Sequence, residues 1–238
     1  MNFKIIILAL TILTLTNCTS KKQQSNSTVK VVGEMKNVMW KGQLYGTIDL
    51  DTIANKNNLY GLGPIENLAG EIMIIEGKSY KSTVLSDTSM IVEETYRMKA
   101  PFFAYANITN WTEQTLPDSI QSAIQIEQYL DNITASHARP FLFKFVGTVE
   151  QATIHIVNLP KGSIVSSPDE AHAGQVNYEL ENEPAEIIGF FSTMHKAIFT
   201  HHNTFLHMHL ITSDRKKMGH LDQLRLKKGT MKLYLPTK

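Results

Sequence analysis

The chain has 238 residues, 42% of them hydrophobic and 19% charged, with a formal net charge of +1; that is enough apolar material for one sizeable core or two small lobes. No basic excess and no Lys/Arg stripe interleaved with aromatics is present, which excludes the electrostatic footprint of a nucleic-acid binder and leaves small molecules or proteins as partners.

The first element is a leader. "MNFKIIILALTILTLTNC" carries Lys4, an apolar run from Ile5 to Leu15 and then the single cysteine, Cys18. The run is too short to span a bilayer comfortably. Leu15 three residues before Cys18 resembles a bacterial lipobox, so residues 1–18 are read as a signal peptide whose cysteine becomes the lipidated mature N-terminus. An uncleaved anchor and a plain secretory signal stay open beside that reading. The polar stretch over 19–29 reads as a flexible tether. The expectation is an exported lipoprotein that meets the membrane only through this anchor and, with Cys18 lipidated, has no cysteine left for a disulfide.

Past the tether the pattern is α+β: two sheet-rich lobes, 30–135 and 136–238, joined near "TASHARP" (134–140). Met35, Val38 and Met39 set a short amphipathic helix within 33–43, and 70–82 reads as two strands around a turn at Glu76-Gly77. "PFFAYANI" (101–108) reads as a buried strand. The spacing over 116–131 predicts a helix capped by Asp118, with Ile120, Ala123, Ile124 and Tyr129 on its stripe. A long strand is expected over 141–157, an irregular polar segment over 158–184, and a last set of strands from "AEIIGFFST" onward.

Five of the nine histidines fall within 201–220. In "FLHMHLI" they alternate with apolar residues, so a strand turns Leu206, Met208 and Leu210 to the core and sends His207 and His209 together to the other face. If "SDRKKMG" closes a hairpin centred between Asp214 and Arg215, His209 and His220 lie directly opposite each other, and cross-strand partners share a face. Three converging imidazoles suit Zn2+, with a fourth position open for substrate or water. The alternative is a group of surface histidines on a polar sheet face, and the third histidine in register speaks for metal.

At these residues the chain resembles the acetolactate decarboxylase family. "HMHLITSDRKKMGH" is similar to the family's H-x-H strand with a third zinc histidine eleven residues later, and Gly189-Phe190 in "IIGFF" matches its G-F strand. "YGLGPIENLAGEIMIIEGKSY" resembles the glycine-rich loop leading to L-D-G-E, "APFFAYANI" the T-P-F-A strand, and "RPFLFKFVGTVEQATIHIV" the Y-A-I-x-I-x-G-x-F strand. The likeness runs from about Lys30 to Pro236.

The resemblance implies zinc-dependent decarboxylation of 2-acetolactate, or a similar 2-hydroxy-3-keto acid, to acetoin and CO2 through a metal-stabilised enediolate. It implies His207, His209 and His220 as metal ligands and Glu71 as the active-site glutamate, which by itself would read as a solvated carboxylate at a strand start. Counting eight residues on from Gly147, the family's pocket arginine falls on His155, a group charged only part of the time near neutrality. The family's pocket threonine falls on Pro64, and its chains continue past the point matching "LYLPTK" into a tail with a further glutamate. Two other functions stay in view: a non-catalytic zinc-bearing lipoprotein that binds a small hydroxy-keto acid, and a zinc hydrolase with Glu71 as base. A homodimer is left open.

Overall fold

The computed structural model describes residues 28–200 and 203–237; the leader, Cys18 and all but two residues of the tether lie outside that range. The chain runs β1 (Lys30–Val32), α1 (Met35–Lys41), β2 (Ile48–Asp49), β3 (Leu59–Pro64), β4 (Glu71–Ile75), β5 (Lys78–Ser86), β6 (Ser89–Glu94), β7 (Lys99–Ala100), β8 (Phe103–Asn107) and β9 (Trp111–Gln114). It continues with α2 (Ala123–Ile133), β10 (Phe141–Ile156), α3 (Pro168–Ala171), β11 (Val176–Phe191), β12 (Leu206–Thr212), β13 (Met218–Leu226) and β14 (Lys232–Pro236). The fold is rich in sheet, with a few short helices.

The strands form two six-stranded antiparallel sheets, ordered β1-β8-β3-β4-β5-β6 and β11-β12-β13-β10-β14-β9, beside a small β2-β7 pair. In the second sheet β11 pairs with both β10 and β12, and β13 with both β12 and β10, so these four strands close on themselves. Alternation then sorts their side chains. Phe143, Phe145, Ile154, Leu180, Ile187, Leu206, Met208 and Leu210 fill the inside of the ring, with Ile126 and Leu130 of α2 packed against them. Leu142, Ile188, Phe190, Ile211 and Met218 point outward, where Tyr60, Leu62, Met73, Ile75, Ala104 and Ala106 of the first sheet cover them. At roughly 1.5–3 kcal/mol for each large apolar side chain buried, these two layers outweigh any single polar contact in the fold. Gly189 is required where β11 crosses Phe143, since a Cβ there would lie 2.3 Å from the ring.

The hairpin at Glu76-Gly77 forms as the sequence predicts, with φ of 52° and 81° at the two turn residues and Ile75 paired with Lys78. Two expectations need correction. The helix expected to start after an Asp118 cap begins only at Ala123, because Ser122 and Gln125 form a reciprocal capping box, which satisfies two otherwise orphaned N–H donors. Asp118 instead accepts from the Gly229 N–H at 3.0 Å. Ile126 and Leu130 make the buried stripe, while Ile124 is 72% exposed. The segment 158–184 is also less irregular than expected: Ser167 caps the short helix α3, and from Val176 the chain is strand. Tyr178 and Leu180 face inward and Asn177, Glu179 and Glu181 outward, a period of two within a stretch whose polarity hides it.

Candidate metal centre

The outward face of the ring carries the histidines. His209 pairs with His220, Leu210 with Gly219 and Ile211 with Met218, the register of a hairpin centred between Asp214 and Arg215. His220 in turn pairs with His155 of β10. Three imidazoles therefore stand side by side across β12, β13 and β10, with His207 two residues along β12. Ligand nitrogens of His207, His209 and His220 all lie within 4.8 Å of one another, the one such group of three metal-binding side chains found among the described residues. Gly219 lets β13 approach: a Cβ at this position would stand 2.5 Å from the His155 carbonyl oxygen.

Glu71 reaches this face from the first sheet. It opens β4 after Gly70 and is 3% exposed, as is His207, while His209 is fully buried. Its Oε2 lies 3.6 Å from His209 Nε2 and its Oε1 4.0 Å from His155 Nε2; Oε1 also accepts the Val157 N–H at 3.3 Å. Burial holds the Glu71 carboxyl well above its ordinary value, the Val157 N–H pulls the other way, and the nearby Asp222 charge adds to the rise. His209 is pushed well below its ordinary value by burial first, then by His207 and His155, against a favourable Ile72 backbone group. Burial thus favours the protonated form of Glu71 and the neutral form of His209, the forms that proton donation and ligation require.

Whether a metal suits these residues follows from their chemistry. Both ring nitrogens of His209 are buried, and the Ile72 backbone group can serve one of them at most, so at least one is left without a partner in the protein. A buried polar atom left without a partner costs about 1–3 kcal/mol. A cation bound through His209 offsets that cost, and three neutral nitrogen donors match zinc. The residues fit the metal.

Around the centre lies a small cavity. Its floor is Glu71, His155, His207 and His220, its walls Pro64, Leu68, Phe102 and Val157, and its cover Met35, Met39 and Trp40 of α1 with Pro168, the first residue of α3, and His172 just after it. The interior of about 40 Å3, against the roughly 10–15 Å3 one water needs, admits a few small groups and no chain segment. Pro64 faces Glu71 directly in the β3–β4 register, and Pro64 and His155, onto which the resemblance places a threonine and an arginine, both line the cavity.

Sequence reasoning missed three contributions. Asp222 accepts from His155 Nδ1 at 2.7 Å; its place two residues after His220 was the available signal. His172 lines the cover, its Nδ1 2.6 Å from the Pro168 carbonyl oxygen, and burial holds its pKa below the ordinary value. The wall formed by α1 and Phe102 has no signature beyond apolarity.

Residues 32–237 match the family model described as alpha-acetolactate decarboxylase. The chain is 23% identical over 197 residues to the alpha-acetolactate decarboxylase of Lactococcus lactis subsp. cremoris, covering 81% of this chain and 78% of that one. Against the Lactococcus lactis subsp. lactis protein it is 24% identical over 198 residues, with the same coverage. Its fold is similar to the crystal structure of acetolactate decarboxylase from Bacillus subtilis subspecies spizizenii, with a TM-score of 0.72 at 19% identity over 88% of this chain and 86% of that one. A Staphylococcus aureus protein of unknown function, described as similar to alpha-acetolactate decarboxylase, superimposes with a TM-score of 0.70 at 16% identity over the same shares. With a family model matched along almost the whole described chain, and a face of histidines packed against a buried glutamate, the protein belongs to the alpha-acetolactate decarboxylase family.

Proposed function

We propose that this protein is a zinc-dependent carboxy-lyase that converts 2-acetolactate, or a close 2-hydroxy-3-keto acid, to acetoin and CO2. The observation that carries this reading is Glu71: a buried carboxyl, its pKa raised by that burial, 3.6 Å from His209, on the face where His207 and His220 converge with it. Zinc held by His207, His209 and His220 supplies a Lewis acid for the electron pair that departing CO2 leaves on the substrate.

The chain's own residues do the rest. Pro64, Leu68, Phe102, Val157 and the two methionines of α1 keep water from the reacting carbon and solvate a carboxylate poorly, which favours its departure as neutral CO2. The bond from the substrate's second carbon to the carboxyl carbon breaks, and its electron pair stays on the substrate. Glu71 then delivers the carboxyl proton to that carbon, giving the hydroxyketone, and is left as a carboxylate that regains its proton from water. A single buried donor on one side of the cavity protonates one face and yields a chiral product. Attachment through Cys18 would place this reaction outside the cytoplasm.

The test is acetoin release from 2-acetolactate by the purified protein before chelation, after it, and after zinc is restored. Chelator-sensitive, zinc-restored acetoin is the expected result. Bound zinc without turnover of any 2-hydroxy-3-keto acid would replace the lyase with a ligand-binding protein of the same fold.

A further inference from the structure

His155 and Asp222 meet because β13 carries a bulge. Thr153 pairs with Gln223 and the next residue, Ile154, with Leu221, so Asp222 has no partner of its own across β10. A bulge increases local twist and re-aims a side chain. Here the carboxylate is turned onto β10, with Oδ2 2.7 Å from His155 Nδ1 and Oδ1 3.9 Å from His220 Nε2, beyond hydrogen-bond reach. The His155 ring lies against His220, centroids 4.6 Å apart and planes 29° from parallel. A carboxylate at Nδ1 holds the proton of the neutral ring on that nitrogen. In that tautomer Nε2, 4.0 Å from Glu71 Oε1, is the ring's acceptor, on a residue that lines the cavity.

We propose that Asp222 is a positioning residue: by accepting from the Nδ1–H of His155 it fixes the tautomer and plane of that ring, so that Nε2 accepts a hydrogen bond from a ligand hydroxyl. This changes what the site selects. An arginine at this position offers donors only and suits a carboxylate, whereas the Asp222–His155 pair offers an acceptor and suits a hydroxyl. Selection then falls on the hydroxyl of a 2-hydroxy acid, with its carboxylate left to the apolar wall. Naming that ligand rests on the function proposed above; the orientation of the ring does not.

Long-range proton–nitrogen correlation spectra of 15N-histidine-labelled, zinc-loaded full-length protein read the tautomer directly, and His155→Gln assigns the signal. The expected wild-type spectrum shows a protonated Nδ1 and an unprotonated Nε2. Asp222→Asn keeps it, because the amide oxygen still accepts. Asp222→Ala loses it, with zinc content unchanged and kcat/KM for 2-acetolactate falling about 10- to 100-fold, the usual cost of removing a group that orients a site histidine, mainly through KM. A protonated Nε2 in the wild type, or a tautomer unmoved in Asp222→Ala, overturns the proposal. Loss of zinc with the His155 signal unchanged also overturns it and assigns Asp222 to His220. Should Asp222→Ala not fold, the wild-type and Asp222→Asn spectra decide. Absence of turnover throughout counts against the lyase, while the spectra still judge the ring.

Discussion

Replacing Glu71 by glutamine separates the acid from its shape. Glutamine keeps an oxygen for the Val157 N–H and fills the same volume, so packing is conserved. What disappears is a titration. Burial raises the folded-state pKa of Glu71 above its ordinary 4.5. Below that pH both states are protonated and the two proteins differ little. Above it the unfolded chain loses the proton that the folded one keeps, so the wild type loses stability as pH rises, by up to about 1.4 kcal/mol per unit until the folded pKa is passed. Relative to wild type, Glu71→Gln therefore gains at most about 2.7 kcal/mol between pH 5 and 7. The assay is urea unfolding of both metal-free proteins across that range. Activity moves the other way: loss of the proton donor costs about 10²–10⁴ in kcat. Parallel stability curves at all pH values would refute the buried, protonated acid and with it the assignment of Glu71 as donor.

Arginine in place of His155 is expected to be captured by Asp222, so His155→Arg alone loses the acceptor and lowers kcat/KM for 2-acetolactate about 10- to 100-fold, as Asp222→Ala does, whereas adding Asp222→Asn frees the guanidinium for the substrate carboxylate and lowers KM again by about tenfold, one charge-assisted contact; steady-state kinetics on the two variants check this. Gly219→Ala forces a Cβ to within 2.5 Å of the His155 carbonyl oxygen and should cost about 1–3 kcal/mol in urea unfolding and weaken zinc binding; an unchanged midpoint would show that β13 and β10 are free to separate. Labelling cells with a fatty-acid analogue should tag the wild type and not Cys18→Ser; equal labelling dismisses lipid attachment there.

Much of the site was legible because it is built on strands, where a period of two converts sequence spacing into a shared face. His207, His209 and His220 needed only that rule and a hairpin centre, and Leu210 opposite Gly219 follows from the same register. Glu71 was different: a carboxylate at the head of a strand is ordinary, and its burial depends on the ring of β10 to β13 packing over it, information spread across the chain. The Asp222–His155 contact was hidden for another reason, since a bulge breaks the pairing arithmetic that made the histidines readable. α2 was misplaced because an apolar stripe from Ile120 competed with a capping box at Ser122, and satisfied backbone donors decided the start. In the 158–184 segment, alternation from Val176 was masked by glutamates on the outward face.

The central claim is that His207, His209 and His220 form one metal site. Zinc content by plasma mass spectrometry, after dialysis against zinc and then against metal-free buffer, tests it most directly when the wild type is compared with the variant carrying alanine at all three positions. The expected result is close to one zinc per wild-type chain and essentially none in a folded variant. Equal zinc in the two proteins would contradict the site and the chemistry built on it.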